Sequence, residues 1–369
     1  MKQIILSFLL YVIGSWAAGC GELRVRKEWR TLSPSEKSAY ISAVNCLWTL
    51  PAKGTAVFPV KTRHDDFAAM HINATGPGIF NSQGNLIGLL GPGIHQVGVF
   101  LPWHRYLLWV YETALKEECG YQGDQPYWDW SLDVPENGGA QFNASPIFDP
   151  VIGFGGNGAN GSVPVTIPPG TTFPTGLTGT PLGSCIDDGP FANKLLVLNP
   201  GPPPDGILTA GTGRCLKRNF QPGLVDGALA WNANVELVLN LTAYVNFTRG
   251  FDALAGSGIP SGPGIHGGGH IGVGGEMANV WSSIDDPLFY LHHGNLDRIW
   301  ALWQNKSPEN VYAHGGPIYP NGTGVTTLDS LMYMSEFVAP SLPIRTVQDT
   351  LNRNGEGVLC YVYEEVYGL

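Results

Sequence analysis

The histidines of this chain constrain its fold more than any other feature. Only nine occur in 369 residues, and six of them fall in three pairs set in apolar, aromatic sequence. His95 and His104 lie nine apart, the second in the run Trp103 to Leu115, where Leu107, Leu108 and Tyr111 recur at helical spacing. His266 and His270 stand at i and i+4, which turns both imidazoles to one face if the backbone is helical. His292 and His293 sit inside Asp286 to Gln304, the clearest helical pattern of the chain. A lone histidine on an apolar helix is more often a hydrogen-bonded core residue than a ligand. The joint pattern differs: helices that carry these pairs inward bring two groups of three imidazoles together, as metal sites in bundle cores are built. All-imidazole ligation suits copper or zinc. The sequence has no Cys-x-x-Cys pair and no His-Glu-x-x-His helix, which argues against the usual zinc arrangements.

A helical pattern is predicted from Val25 to Leu50, with Ser33 as cap and Pro34 at the first helical position, stopped by Pro51 and Gly54. A second helix is predicted from about Pro102 to near Gly120. Helical spacing returns at Val235 to Val245. Residues 134 to 230 are rich in Gly, Pro, Thr and Asn and read as long loop covering a helical centre. Cys360 to Tyr363 reads as a strand. The expected fold is mainly α, a central four-helix bundle holding the metal site, surrounded by long Gly/Pro-rich loops and a few short strands. Glycine (50) and proline (29) together stay below the roughly 25–30% that marks disorder, and 11 Trp, 14 Tyr and 15 Phe can fill a large core.

Lys2, the apolar run Ile4 to Ile13 and the small residues Ala17-Ala18-Gly19 form a signal peptide over 1–19, leaving one domain over 20–369. The run is too short to span a membrane. Two further counts agree with export to the extracellular space. The six cysteines suit disulfides, with all 15 pairings open. Seven Asn-x-Ser/Thr sequons, at Asn73, Asn143, Asn160, Asn240, Asn246, Asn305 and Asn321, offer sites for N-glycans. The net charge of −10 comes without a Lys/Arg cluster, which excludes nucleic acid as a partner.

Phe100-Leu101-Pro102-Trp103-His104-Arg105-Tyr106, with Glu112 beyond it, and Asp286-Pro287-Leu288-Phe289 followed by His292-His293 and Asp297-Arg298-Ile299-Trp300 resemble the two copper signatures of tyrosinases and catechol oxidases. Pro126-Tyr127-Trp128-Asp129-Trp130 resembles that family's connecting segment. Arg26-Lys27-Glu28-Trp29-Arg30 and Ala43-Val44-Asn45-Cys46-Leu47 resemble its short secreted fungal branch, which lacks the C-terminal shielding domain.

The resemblance implies two copper ions, small phenolic and catecholic substrates with O2, and a monomer or weak dimer. It implies copper A ligands His71, His95 and His104, and copper B ligands His266, His270 and His293. His71 rather than His64 follows Asp65-Asp66-Phe67 at the family's distance, although residues 75–92 then form an inserted Gly/Asn loop. His292 is expected to be a structural neighbour and His314 a surface residue. Phe289 would pack among the imidazoles, and Asp297 would hold a ligand's second nitrogen, as bound histidines usually require. Gly93 stands where many fungal relatives carry the cysteine of a thioether cross-link. Gly267 stands where hydroxylating relatives often carry Asn, which favours oxidation of o-diphenols to o-quinones over hydroxylation of monophenols; o-aminophenol oxidation is the other alternative. Gly267-Gly268-Gly269 would leave a wide mouth over copper B, narrowed by Ile271 and by Val280 at the family's gate position. Asp252 is the nearest upstream acid and has no role assigned by the resemblance.

Overall fold

The computed structural model describes residues 20–364 apart from 81–85, 90, 136–140, 166–180, 202–209, 230–233 and 261. The expected signal peptide therefore lies outside the described residues. The first helix, α1 (Pro34–Leu47), begins as its sequence prescribes. The Ser33 hydroxyl accepts from the Glu36 N–H, the Glu36 carboxylate accepts from the Ser33 N–H, and Pro34 takes the first turn, where its missing N–H costs nothing. Helix α2 (Arg63–Thr75) is capped in the same reciprocal way by Thr62 and Asp65. Helix α3 (Phe100–Cys119) ends where Gly120 adopts φ +69°, a left-handed cap that favours glycine. Among the described residues six further helices follow: α4 (Pro222–Leu229), α5 (Glu236–Leu239), α6 (Tyr244–Gly250), α7 (Gly264–Val273), α8 (Leu288–Gln304) and α9 (Pro308–Val311). Helix α3 packs along α8 and against α1, while α7 lies on α4. One apolar cluster runs through all of them but α9, with Trp103, Trp128, Trp281, Trp300 and Trp303 wholly buried. Among the described residues no helix is long and apolar enough to cross a membrane.

The strands are short and pair in twos. β1 (Arg24–Arg26) runs parallel to β10 (Tyr361–Tyr363), so the predicted helical stretch begins only at Pro34, and residues 24–26 are strand instead. Three residues are too few to show a period, and the pairing lies at the far end of the chain. The 75–92 insertion is a hairpin of β2 (Gly78–Phe80) and β3 (Leu86–Leu89) rather than a bare loop. The predicted loop over 134–230 carries β4 (Ser184–Cys185), β5 (Leu195–Leu198), β6 (Ala210–Cys215) and β7 (Lys217–Arg218) besides α4, in the ladders β4–β7 and β5–β6. A last pair joins β8 (Leu331–Met332) to β9 (Leu342–Pro343). The six cysteines form Cys20–Cys360, Cys46–Cys119 and Cys185–Cys215. The second clamps the C-terminal ends of α1 and α3 together.

Beside β1 and β10 lies a buried polar hub. Asp297 of α8 accepts from Arg26 of β1 at 3.2 Å, from Tyr363 of β10 at 2.7 Å, and from Tyr361 and Arg105 at 2.5 Å each. Arg26 also donates to Glu112 of α3 at 2.8 Å. Burial alone would disfavour each of these charges, and they persist because each faces opposite charge and hydrogen bonds. The hub ties the N-terminal and C-terminal strands to the two longest helices.

Candidate metal centre

Four helices bring the predicted histidines together. His71 comes from α2, His95 from the turn before α3, His104 from α3, His266 and His270 from α7, and His293 from α8. In each group the nitrogens able to ligate a metal lie within 4.8 Å of one another: His71, His95 and His104 in one, His266, His270, His292 and His293 in the other. All six predicted ligands are 3% exposed or less. The groups face each other, with the His104 and His293 rings stacked at 4.3 Å between centroids and His95 parallel to His266 at 6.1 Å.

The hydrogen bonds set the tautomers. A carbonyl oxygen can only accept, so Nδ1 of His71 donates to Trp281 O at 2.9 Å, Nδ1 of His104 to Phe100 O at 2.8 Å, and Nδ1 of His270 to Met277 O at 2.7 Å. A neutral ring with its proton on Nδ1 offers a lone pair at Nε2. The Nε2 atoms of His71 and His104 are buried without a hydrogen-bond partner, and those of His270 and His293 approach to 3.2 Å. Burial holds His71 at a pKa of about 4 and pushes His95, His104, His270 and His293 down, with neighbouring imidazoles adding to the effect. These rings are thus neutral, the state a metal requires. Orphaned lone pairs converging from neutral imidazoles, with every cysteine in a disulfide, fit a pair of copper ions.

His292 lies within the second group but has both nitrogens engaged. Nε2 donates to His266 O at 3.0 Å, so Nδ1 accepts from Trp130 Nε1 at 3.1 Å. It braces the backbone of His266, as expected of a structural neighbour. His64 stands apart at the start of α2, stacked on Trp48 at 3.6 Å. His314 is not the surface residue expected: it is half-buried and bonds Thr326 and Gln348.

Phe289 sits among the imidazoles, 4.2 Å from His293 and 5.1 Å from His71 between ring centroids. Asp297 does not take the place expected of it: its carboxylate serves Arg26, Arg105, Tyr361 and Tyr363 instead of a ligand's second nitrogen. Gly267, Ile271 and Val280 are all buried, and the glycine triad is not open space throughout. Two of its members serve packing. A methyl on Gly268 would lie 2.7 Å from Ala228 Cβ of α4, and one on Gly269 would lie 2.3 Å from Cε1 of His292. The His292 ring is held on both nitrogens and cannot yield. Gly269→Ala should therefore cost about 1–3 kcal/mol, read as a lowered Tm, and Gly268→Ala a comparable amount, since Ala228 Cβ is fixed to the backbone of α4.

The residue that sequence reasoning left without a role is Asp252. Its Oδ1 accepts from Nδ1 of His266 at 2.6 Å, and both side chains are buried. No period or motif links positions 14 apart across a turn.

The chain matches the family model described as the common central domain of tyrosinase over residues 61–306. Tyrosinase ustQ of Aspergillus flavus is 34% identical over 93% of this chain and 80% of its own length. N-acetyl-6-hydroxytryptophan oxidase ivoB of Emericella nidulans is 34% identical over 92% of each chain. Among solved structures, a mutant polyphenol oxidase from Thermothelomyces thermophila superposes with a TM-score of 0.72 at 29% identity, covering 98% of this chain and 95% of that one.

Proposed function

The chain belongs to the tyrosinase family of copper oxidases, and from that premise we propose that it oxidises o-diphenols to o-quinones, two diphenols and one O2 giving two quinones and two waters. The observation that carries the reading is the facing pair of histidine groups with their lone pairs turned inward. His71, His95 and His104 would hold copper A, and His266, His270 and His293 copper B. When bound, the copper pair supplies the two-electron exchange with O2 that no side chain here can perform. The chain supplies the rest. Backbone carbonyls of Trp281, Phe100 and Met277 fix ring orientation through the Nδ1 protons. Phe289, buried between the groups, keeps water from the imidazoles.

Gly267 supports diphenol rather than monophenol chemistry, because it offers no side-chain acceptor next to His266 to orient a base for a phenol proton. The names of the relatives, a tyrosinase and a hydroxytryptophan oxidase, favour a second reading in which monophenols are also turned over. Oxygen uptake by the copper-loaded protein, with 4-methylcatechol and p-cresol in parallel, separates the two. Uptake with the catechol alone is the expected result. Prompt uptake with both supports the second reading, and uptake with neither while two coppers are bound overturns the substrate class.

We read the protein as secreted and N-glycosylated. Three disulfides support an oxidising compartment, and all seven sequon asparagines are exposed.

A further inference from the structure

We infer that Asp252 is a positioning residue for copper B, holding His266 through a charged hydrogen bond without which copper B is the first of the two metals to be lost. The inference rests on the dicopper reading above.

The second nitrogens of the ligands divide by the charge of what they meet. His71 and His104 on the copper A side, and His270 on the copper B side, donate to neutral backbone carbonyls. His266 alone of these four donates to a carboxylate, at 2.6 Å. A hydrogen bond to a charged acceptor is shorter and about twice as strong as one to a neutral acceptor. It draws the Nδ1 proton outward, raises electron density at Nε2 and strengthens that nitrogen as a donor to a cation. The ion-pair partner described for Asp252 is His266, not a lysine or arginine. A carboxylate buried this deeply gains most when the ring it faces carries positive charge, as a metal-bound imidazole does.

The backbone is shaped to keep Asp252 there. Ala253 adopts φ +47°, a left-handed conformation unusual for a residue with a side chain, so the chain reverses directly after Asp252. The His266 N–H donates to Phe251 O at 2.9 Å, fastening the segment before Asp252 to the first turn of α7. Gly264, at φ +67°, makes this approach possible, since a Cβ there would fall 2.2 Å from Phe251 O. Strain at Ala253, close contact at Gly264 and the backbone bond at His266 all hold one carboxylate against one imidazole. The 14 residues between Asp252 and His266 thus act as a clip rather than a passive loop.

The test uses the copper-loaded protein and its Asp252→Asn and Asp252→Ala variants, equilibrated against increasing EDTA. Copper per chain is measured by atomic absorption and lone Cu(II) by electron paramagnetic resonance. Asparagine keeps an acceptor oxygen and loses the charge, so it isolates the electrostatic part. Outer partners of metal-bound histidines typically contribute 10–100-fold in metal affinity. We expect one of the two coppers to be released at about 10-fold lower EDTA in Asp252→Asn and at about 100-fold lower in Asp252→Ala. The copper that remains should give the spectrum of His293→Ala, which keeps copper A, and not that of His104→Ala, which keeps copper B. Release curves that overlay the wild type, or a remaining copper with the His104→Ala spectrum, would overturn the inference and leave the dicopper reading intact. A wild type that takes up fewer than two coppers would overturn both. If Asp252→Ala does not fold, Asp252→Asn decides alone.

Discussion

Replacing Asp297 by alanine is expected to destabilise the protein by about 3–5 kcal/mol, on the order of 10 °C in Tm, without stripping copper from the molecules that stay folded. The carboxylate accepts from Arg26, Arg105, Tyr361 and Tyr363, and all four donors are buried. Removing it leaves two guanidiniums facing each other across a cavity. Glu112 still balances Arg26, but Arg105 retains only the neutral acceptors Gln304 Oε1 and the carbonyls of Val347 and Gln348. Breaking a buried pair from one side costs far more than the pair contributes, because the charge left behind is desolvated. Thermal unfolding followed by circular dichroism, with copper analysis of the folded fraction, checks both halves. If copper were lost before stability, the role that the sequence resemblance implies for Asp297, support of a ligand, would have to be restored.

Removing copper should make the protein acid-sensitive, with an unfolding transition that moves into the window between about pH 6.5 and pH 4. Burial lowers the His71 pKa from 6.5 to about 4. Between those values the unfolded chain binds a proton that the folded apoprotein refuses, so falling pH favours unfolding. The stability at stake is fully present above the unfolded value and decreases until both forms are protonated. His71 alone accounts for about 3 kcal/mol at 1.36 kcal/mol per pKa unit. His95, His104, His270 and His293 are displaced in the same direction, and each is disfavoured further once a neighbour is charged. The apoprotein should therefore give way over a narrow range. Copper favours the folded form, which brings its ligands together, and competes with the protons, which moves the holoprotein's transition to lower pH. Tryptophan fluorescence of the two forms, titrated side by side, gives the comparison. Coincident acid transitions would show that these imidazoles do not govern stability.

How much of this was legible in the sequence follows from how local each signal is. His104, His266 and His270 announce themselves because they sit on helices that repeat every 3.6 residues among aromatic neighbours, whereas His95, in the turn before α3, is marked only by its nearness to His104, and the choice of His293 over His292 rests on the resemblance. His71 lacks such spacing and was reached only through the resemblance. The caps of α1 and α3 were readable for the same local reason: Ser33, Pro34 and Gly120 act on their own turns. For Asp297 helical spacing gives direction and not distance. Four residues past His293 it shares the inward face of α8, but it lies about 6 Å further along the axis, beside β1 and β10. The glycine triad shows a similar limit of local sequence. Absent side chains look like open space in a sequence, whereas α4 and His292 fill the space beside Gly268 and Gly269. Asp252, β1 and the strands within 134–230 depend on contacts distant in the chain, and no local pattern encodes them.

The parallel pairing of Arg24–Arg26 with Tyr361–Tyr363 has a consequence for how the protein is made. A ribosome adds roughly 5–20 residues per second, so the first strand waits on the order of tens of seconds for its partner to be synthesised. Throughout that interval Arg26 has neither Tyr361 nor Tyr363 to meet, and Asp297, made late itself, lacks two of its four donors. The hub is completed only after Tyr361 and Tyr363 have been made. Assembly of the bundle is thereby placed under the control of β10, and a chain truncated before Tyr361 would leave the translation machinery with its long helices made and its charged centre unsealed.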